Sequence, residues 1–448
     1  DYDLKYAPHG FPLDGGDTQV VYNGTFFNNF AALPQFGYDQ NQQLQDRNDR
    51  RKYGLPELPR MNPIGDTAAY ADNYLGPNRD WVDFETTVST SSGQIALAPG
   101  YLQREWTENG RRYYRYKSEA KLLPFFSWLS ADWQVKRDRW HDVALEIYYD
   151  RKHPYNVDRM MDATKKSLDY YTTHFSPYQF RQLRILEFPG YATFAQSFAN
   201  TIPFSEAIGF IADVRDKDDI DMPFYVTAHE VGHQWWAHQV IGADVQGSTM
   251  LSESLAQYSA LMVMEHEYGP HRMRKFLKYE LDKYLSARSQ ERVAEQPLAL
   301  NENQQYIHYN KGSVVFYALK DAIGEDTLDR VLAGFLRKWS FKGPPYPTSR
   351  DFMADLYAGT DAKFHPLIRD LFERIVFWEN RATDATAVKR ADGKYVVTLK
   401  VTSKKHVADG KGKASDEPMD EWVDVGVFAR APDGKEDDEK VLYLRKAH

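Results

Sequence analysis

The residues His229-Glu230-Val231-Gly232-His233 form the pattern H-E-x-x-H, which can place two metal ligands on one side of a helix. Residues four apart on an α-helix are separated by about 40° around its axis, so both imidazoles point the same way. Neutral imidazole is a good zinc ligand, and a glutamate beside it can take a proton from an activated water. The pattern therefore predicts that His229 and His233 bind zinc and that Glu230 acts as a general base.

The bare pattern also arises by chance in roughly a few per cent of chains of this length, so its surroundings matter. Pro223 stands at a favourable helix start, and an apolar run follows it. Residues 234–240 can continue the helix, and Gly242 is a suitable end. We therefore expect one buried helix from about Pro223 to residue 240.

A hydrolytic zinc site needs a third protein ligand and keeps a fourth position for water. Glu253 is the candidate, because it lies near the start of a second predicted helix whose apolar side includes Leu255, Tyr258 and Leu261. The alternative for such a glutamate is a favourable interaction with the helix dipole. The chain has no cysteine, so histidine and carboxylate ligands are expected, with one Zn²⁺ per chain.

Three segments together resemble the aminopeptidase N-like family of gluzincin zinc metallopeptidases: HEVGHQWWAHQV (229–240), SESLAQY (252–258) and Tyr309-Asn310-Lys311-Gly312. The resemblance implies peptide hydrolysis by a metal-activated water, with peptides as substrates. It also implies that the hydroxyl of Tyr309 stabilises the tetrahedral oxyanion. A positioned phenol can donate a hydrogen bond to an oxygen as negative charge develops on it.

The spacing of the ligands departs from that family. Residues 234–252 supply nineteen residues between His233 and Glu253, one more than the family usually has. We expect the loop between the two helices to absorb the extra residue, with Ser252 as the N-cap of the second helix.

The second departure concerns the substrate. Ser197 falls where the family carries the glutamate that binds the free amine of its substrates, and a neutral hydroxyl cannot pair with an ammonium as a carboxylate can. Gln196, Ser197 and Glu206 are the candidate substrate-binding residues, with Glu187 as a further nearby carboxylate. Three functions stay open: an aminopeptidase, an endopeptidase or specialised peptidase without amine recognition, and a non-catalytic zinc-binding module of a membrane transporter. The intact Glu230 disfavours the last.

The fold class indicated is a multi-domain α+β protein. Alternating segments such as residues 112–116 predict a β-rich N-terminal domain over residues 1–148. The resemblance implies a thermolysin-like catalytic domain over 149–378, mixed α/β and then helical. It further implies a small, truncated C-terminal β-sandwich over 379–448.

Charge and hydropathy limit the partners. A net charge of −8 without a basic tract argues against nucleic acid. The longest apolar runs, such as residues 314–319, are far shorter than the roughly 20 residues that span a bilayer. The phrases TIPFSEAIGFI (201–211) and MLSESLAQYSALMVME (250–265) resemble bacterial versions joined to a transporter-type permease. That resemblance implies an extracytoplasmic location, on the bacterial periplasmic side, and a fused or associated membrane permease segment outside this chain.

Overall fold

The computed structural model describes residues 6–7, 20–33, 43–44, 46–58, 60–216, 219–429 and 440–448. The N-terminal region contains two sheets, with strand orders β1-β2-β3-β8-β5 and β4-β7-β6. Its strands are β1 Tyr6–Ala7, β2 Val20–Val21, β3 Gly24–Asn28, β4 Glu85–Ser91, β5 Ile95–Leu97, β6 Tyr101–Glu108, β7 Arg111–Lys117 and β8 Ser127–Ala131. Its short helices are α1 Asn29–Ala32, α2 Arg47–Lys52 and a 3₁₀ turn at Thr67–Ala71.

Alternation along the strands fixes which face of these sheets is buried. In β7, Tyr114 and Tyr116 are buried while Arg115 between them is exposed, as expected for side chains that point to opposite faces. The buried face packs together with Phe188 and Phe198 of the next region. The N-terminal sheets are therefore joined through a shared core to the strands that border the candidate site.

The middle region begins with a four-stranded sheet of order β12-β11-β10-β9, in which β10, β11 and β12 are parallel. Helix α3 connects β10 to β11, as a parallel pair requires. Residues 194–198 run antiparallel along the outside of β12, with bridges Ala195–Phe204 and Phe198–Thr201. The elements are β9 Gln134–Trp140, β10 Val143–Tyr149, α3 Val157–His174, β11 Gln182–Phe188 and β12 Thr201–Ser205.

Helices follow the sheet and form the largest core. They are α4 Met222–Gly232, α5 Leu255–Tyr268, α6 Pro270–Gln290, α7 Gly312–Ile323, α8 Glu325–Trp339, α9 Ser349–Gly359 and α10 His365–Phe372, with 3₁₀ turns at Leu298–Leu300 and Ala362–Phe364. Two π-helical turns, π1 Met250–Ser254 and π2 Tyr306–Lys311, directly precede α5 and α7. Trp235 and Trp236 are fully buried, and their indole N–H groups donate to Ser176 O and Ser259 Oγ. Their role in core packing, expected for large aromatic residues, is thus visible.

Helix α4 begins as the sequence predicts and ends earlier. The Asp221 side chain accepts a hydrogen bond from Phe224 N at 3.1 Å, and Pro223 lies in the first turn. The helix stops at Gly232, whereas we expected it to continue to residue 240. That expectation was wrong, because residues 233–239 form successive turns, in which the side chains of Gln234 and His238 bond to residues 197–200.

The chain ends in strands. They form a three-stranded sheet, β13-β14-β15, and a two-stranded sheet, β16-β17. Lys405 of β14 lies within ion-pair distance of Asp370 in α10 and of Glu421, which anchors these strands to the helices. The strands are β13 Ile375–Lys389, β14 Tyr395–Ala408, β15 Ala414–Glu417, β16 Val423–Ala429 and β17 Lys440–Ala447.

The predicted fold class is confirmed: a multi-domain α+β chain with a β-rich start, a helical middle region and C-terminal β strands. The domain limits 1–148, 149–378 and 379–448 stay predictions. Among the described residues, no helix combines the length and apolar composition needed to cross a membrane.

Candidate metal centre

Three side chains from two helical segments converge on one point. His229 lies in α4, His233 directly follows α4, and Glu253 lies in π1. The two histidine Nε2 atoms are 3.0 Å apart, and Glu253 Oε2 lies 3.4 Å from that of His229 and 3.2 Å from that of His233. Two imidazole nitrogens and one carboxylate oxygen are a donor set that binds zinc and leaves one position for water.

The orientation of these groups fits a metal ion. The Nδ1 of His233 is 3.0 Å from Trp236 O, so its N–H donates there and Nε2 is left facing Glu253. Glu253 Oε2 is buried and has no hydrogen-bond partner among the described residues. Lone-pair atoms this close repel one another unless a positive charge lies between them, so the site requires a proton or a cation.

The electrostatics of the site favour a cation at the same point. Burial lowers the pKa of His229. Burial acts to lower the pKa of His233 too, but the carboxylate of Glu253 more than offsets this and raises it to about 9. Burial acts to raise the pKa of the Glu253 carboxyl, and the two imidazoles hold it well below its usual value. Glu253 therefore stays ionised beside the histidines.

Glu230 and Tyr309 border this cluster. Burial raises the pKa of the Glu230 carboxyl to about 8, which places its proton exchange close to neutral pH. The ring of Tyr309 is 5.9 Å from that of His229 between centroids. Burial, together with the charges of Glu253 and Glu230, raises the pKa of Tyr309 well above 10. Tyr309 is therefore a protonated hydrogen-bond donor, and Glu230 is a group that exchanges a proton near neutral pH.

Close packing between the two π turns sets the position of Tyr309. Ser254 Oγ donates to His308 O at 2.6 Å, which fixes π2 against the end of π1. A Cβ added at Gly312 would lie 2.5 Å from Ser254 Oγ and 2.8 Å from Ser254 Cβ. The glycine that follows Lys311 thus permits the contact that carries Tyr309 to the metal ligands.

The π1 turn also corrects the expectation about Ser252. Ser252 lies inside π1, and its Oγ has no hydrogen-bond partner among the described residues, so it is not an N-cap. A π turn contains more residues than an α turn and is typically found near functional sites. We infer that the extra residue before Glu253 is accommodated in π1 and not in the connecting loop.

Ser197 is held by residues that follow the second histidine. Gln234 Nε2 donates to Ser197 Oγ at 2.6 Å and to Phe198 O at 2.9 Å, and Gln234 Oε1 accepts from Asn200 N at 2.8 Å. His238 Nε2 lies 3.0 Å from Ser197 O. Sequence reasoning missed Gln234, because its partners lie some 35 residues earlier in the chain.

The other proposed substrate residues have different partners. Gln196 Oε1 accepts a 3.4 Å hydrogen bond from Asn28 of β3, so this side chain links residues 194–198 to the N-terminal region. Glu206 Oε1 accepts from Gly190 N at 2.8 Å. Glu187 Oε2 accepts from Asp150 N at 2.6 Å. Glu206 and Glu187 are thus both bonded to groups outside the metal centre.

Tyr74 of the N-terminal region also reaches the site. Its backbone N–H donates to Gly242 O at 3.1 Å, beyond the turns that follow α4. Burial raises the pKa of Tyr74, with the negative charge of Glu253 adding to the effect. Nothing in the sequence near Tyr74 signals this position, because only the packing of the N-terminal region on the helices creates it.

Comparison with known proteins agrees with this geometry. Residues 159–369 match the family described as Peptidase family M1 domain. This segment is similar to the peptidase family M1 domain. It contains α4, π1 and π2, and therefore all the residues of the metal centre.

Two curated relatives that this chain matches are aminopeptidases. Endoplasmic reticulum aminopeptidase 2 of Homo sapiens is 24% identical over 209 residues, which cover 45% of this chain and 22% of the relative. Leucyl aminopeptidase of Saccharolobus solfataricus is 21% identical over 302 residues, which cover 64% of this chain and 37% of the relative. The chain thus spans between a fifth and two fifths of the length of these relatives.

Two solved structures share the fold of about two thirds of this chain or more. The M1 zinc metallopeptidase from Deinococcus radiodurans superposes with a TM-score of 0.52 at 17% identity, covering 66% of this chain and 64% of that one. Legionella pneumophila aminopeptidase A gives a TM-score of 0.56 at 16% identity, covering 82% of this chain and 41% of that one.

Proposed function

We propose that this chain is a zinc-dependent peptidase in which His229, His233 and Glu253 hold one Zn²⁺. The observation that carries the proposal is the convergence of their three ligand atoms, 3.0 to 3.4 Å apart, beside Glu230 and Tyr309. When bound, zinc would supply Lewis-acid activation of water and of the scissile carbonyl. The M1 domain and its aminopeptidase relatives support the same chemistry.

The protein residues have separate tasks in the proposed reaction. The Glu230 carboxylate accepts the proton of the attacking water and passes it to the nitrogen of the leaving amine. The Tyr309 hydroxyl donates a hydrogen bond to the carbonyl oxygen as it becomes negative. The Nδ1–H of His233, held by Trp236 O, keeps the ring in one tautomer.

The contacts of Ser197 favour a peptidase that does not require a free amine over a strict aminopeptidase. Ser197 Oγ is bonded to Gln234, and the nearby carboxylates of Glu187 and Glu206 each accept a backbone N–H bond elsewhere. A substrate ammonium group would need an ionised carboxylate in front of it. We therefore propose that Gln196 and Ser197 bind the peptide backbone or side chains, and that Glu206 does not bind the amine.

Hydrolysis of one peptide in free and N-acetylated form tests two claims: that the chain cleaves peptides, and that it does not require a free amine. We expect cleavage of both forms at comparable rates, loss of activity in Glu230→Gln, and unchanged zinc content in that variant. A strong preference for the free amine would restore the aminopeptidase assignment. Zinc binding without cleavage of any peptide in a library would favour the non-catalytic module.

The extracytoplasmic location and the attached permease also stay proposals, supported by the resemblance of residues 201–211 and 250–265. Fractionation of cells that express the full gene tests them. Recovery of the protein with the cytoplasmic fraction would reject both.

A further inference from the structure

A second group of potential metal ligands lies outside the centre formed by His229, His233 and Glu253. Its members are His153, Glu187 and Glu206, whose ligand atoms all lie within 4.8 Å of one another. His153 Nδ1 is hydrogen-bonded to Glu187 Oε1 and lies 3.8 Å from Glu206 Oε2. The three residues come from the turn before α3, from β11 and from the residue after β12. The fold thus brings together three segments that are far apart in sequence.

Each carboxylate of this group is anchored through its other oxygen. Asp150 N donates to Glu187 Oε2 at 2.6 Å, and Gly190 N donates to Glu206 Oε1 at 2.8 Å. One oxygen of each carboxylate is thereby directed toward His153. Carboxylates that ligate metals are typically held by such outer hydrogen bonds.

Gly190 leaves room for this arrangement. A Cβ at position 190 would lie 2.8 Å from Glu206 Oε1, closer than real Cβ contacts allow. Any larger residue would push the Glu206 carboxylate away from the backbone N–H and from His153. The absence of a side chain at Gly190 therefore opens the space that the carboxylate occupies.

The group carries excess negative charge in a mostly buried place. The Glu187 side chain is 4% exposed and that of Glu206 13%. Within the part of the chain that the structure describes, no Lys or Arg forms an ion pair with either carboxylate. Even a protonated His153 would balance only one of the two charges. Buried charges are costly unless they are paired or bind a metal, and burial accordingly raises the pKa of Glu187 to about 7.

A third group of similar composition is a saturated cluster, in which protein groups supply the hydrogen bonds that the carboxylates accept. At His174, Glu325 and Asp329, Tyr170 Oη lies 2.7 Å from Glu325 Oε1 and 3.1 Å from Asp329 Oδ2, and His266 Nε2 lies 2.9 Å from Glu325 Oε1. Tyr258 Oη donates to Asp329 Oδ1 at 3.2 Å. Protein donors thus satisfy that cluster. The carboxylate oxygens that face His153 have no other donor among the described residues.

We propose that His153, Glu187 and Glu206 form a second metal site, which binds a divalent transition metal of the Zn²⁺ type. The imidazole ligand selects such metals over Mg²⁺ and Ca²⁺, which prefer oxygen ligands alone. The ion would connect the β10–α3 turn, β11 and the end of β12. Because residues 194–198 pair along β12, it would also stabilise the edge that borders the candidate active site. The His153 side chain is 21% exposed, which gives an ion a route of entry.

Metal counting tests the second site. The purified chain is stripped with a chelator, reloaded with ZnCl₂, desalted and analysed by inductively coupled plasma mass spectrometry. We expect two zinc ions per chain in the wild type, one in Glu206→Gln, one in His233→Ala, and none in the double variant. The matched control is His174→Ala, which alters the saturated cluster and should retain two.

The test distinguishes loss of the second metal ion from misfolding and from loss of peptidase activity. Circular dichroism and thermal unfolding establish that each variant is folded, and Glu206→Gln preserves the shape of the side chain. One ion in the wild type together with none in His233→Ala overturns the second site. Two ions in both Glu206→Gln and His153→Ala overturn it as well. Either result leaves the proposed peptidase activity intact, because that activity depends on His233 and is measured separately.

Discussion

The side-chain amide of Gln234 donates a hydrogen bond to Ser197 Oγ at 2.6 Å, which joins the turn after the second histidine to the edge segment along β12. Its oxygen accepts from Asn200 N at 2.8 Å, so both ends of the amide are used. The residue next to the metal ligand thereby holds residues 197–200 at a fixed distance from the metal centre. Gln234 therefore fixes the position of the edge segment that we propose to contact the peptide substrate.

Substitution Gln234→Met should destabilise the protein and weaken substrate binding. Methionine keeps the length of the side chain, but the buried Ser197 Oγ and Asn200 N lose their partner, whereas Phe198 O keeps the hydrogen bond from Thr201 N. Each unsatisfied buried group costs about 1–3 kcal/mol, so we expect at least about 2 kcal/mol in urea unfolding and a raised KM. The control is Gln103→Met on an exposed strand position, which should change the unfolding free energy by less than about 0.5 kcal/mol. A loss below 1 kcal/mol in Gln234→Met would contradict the bridging role.

Substitution Tyr309→Phe should reduce kcat by about 10²–10³ while the zinc content stays unchanged, because a single oxyanion donor is removed. Tyr306→Phe is the matched control, since Tyr306 lies in the same π turn and its hydroxyl is 3.2 Å from Glu291 Oε2. It should keep kcat within about threefold of the wild type. Steady-state kinetics and metal analysis of both variants provide the measurement. Normal turnover in Tyr309→Phe would remove this residue from the mechanism.

Substitution Gly312→Ala should lower both stability and activity. The new Cβ would overlap Ser254, and overpacking of this kind costs about 1–3 kcal/mol. Since Ser254 holds π2 against π1, the displacement should also move Tyr309 and lower kcat. In contrast, Gly334→Ala in α8 meets no atom closer than 3.7 Å and should stabilise the helix by up to about 1 kcal/mol. Equal effects of the two substitutions on stability and kcat would exclude the close contact as the cause.

The sequence could predict the features that depend on local geometry. His229 and His233 share a side because helical spacing requires it, and the apolar stretch after Glu253 correctly indicated a buried helix. The alternation of buried and exposed residues in β7 identified a strand in the same way. In each case the signal and the structure it determines lie within a few residues of each other.

Features that depend on distant contacts could not be predicted. Helix α4 ends at Gly232 because Gln234 and His238 bond to residues 197–200, and no local residue announces this. Likewise, Glu187 and Glu206 meet His153 only because β11 and β12 are parallel neighbours, with Glu187 in register with Phe204. The sequence indicated both glutamates as possible ligands of a substrate amine, but it contained no signal that His153 lies beside them.

Burial of Glu280 makes the unfolding free energy of the protein depend on pH. This carboxyl of α6 is 2% exposed and accepts a hydrogen bond from Asn310 Nδ2 of π2 at 2.8 Å. Burial raises its pKa from 4.5 to about 7, so between these values the folded chain holds a proton that the unfolded chain has lost. The unfolded state then binds fewer protons, and the unfolding free energy falls as pH rises. The contribution of protonated Glu280 to the unfolding free energy is fully present below about pH 4.5 and is lost as pH rises through 7.

Substitution Glu280→Gln should remove this dependence, because an amide carries no charge at any of these pH values. A pKa shift of one unit corresponds to about 1.4 kcal/mol, so the variant should gain about 3 kcal/mol relative to the wild type between pH 5 and pH 8. Urea unfolding of both proteins at four pH values measures the difference. Asp282→Asn, on the exposed side of the same helix, is the control and should show no comparable gain, since water solvates that carboxylate. Parallel stability curves for Glu280→Gln and the wild type would show that Glu280 is ionised in the folded protein.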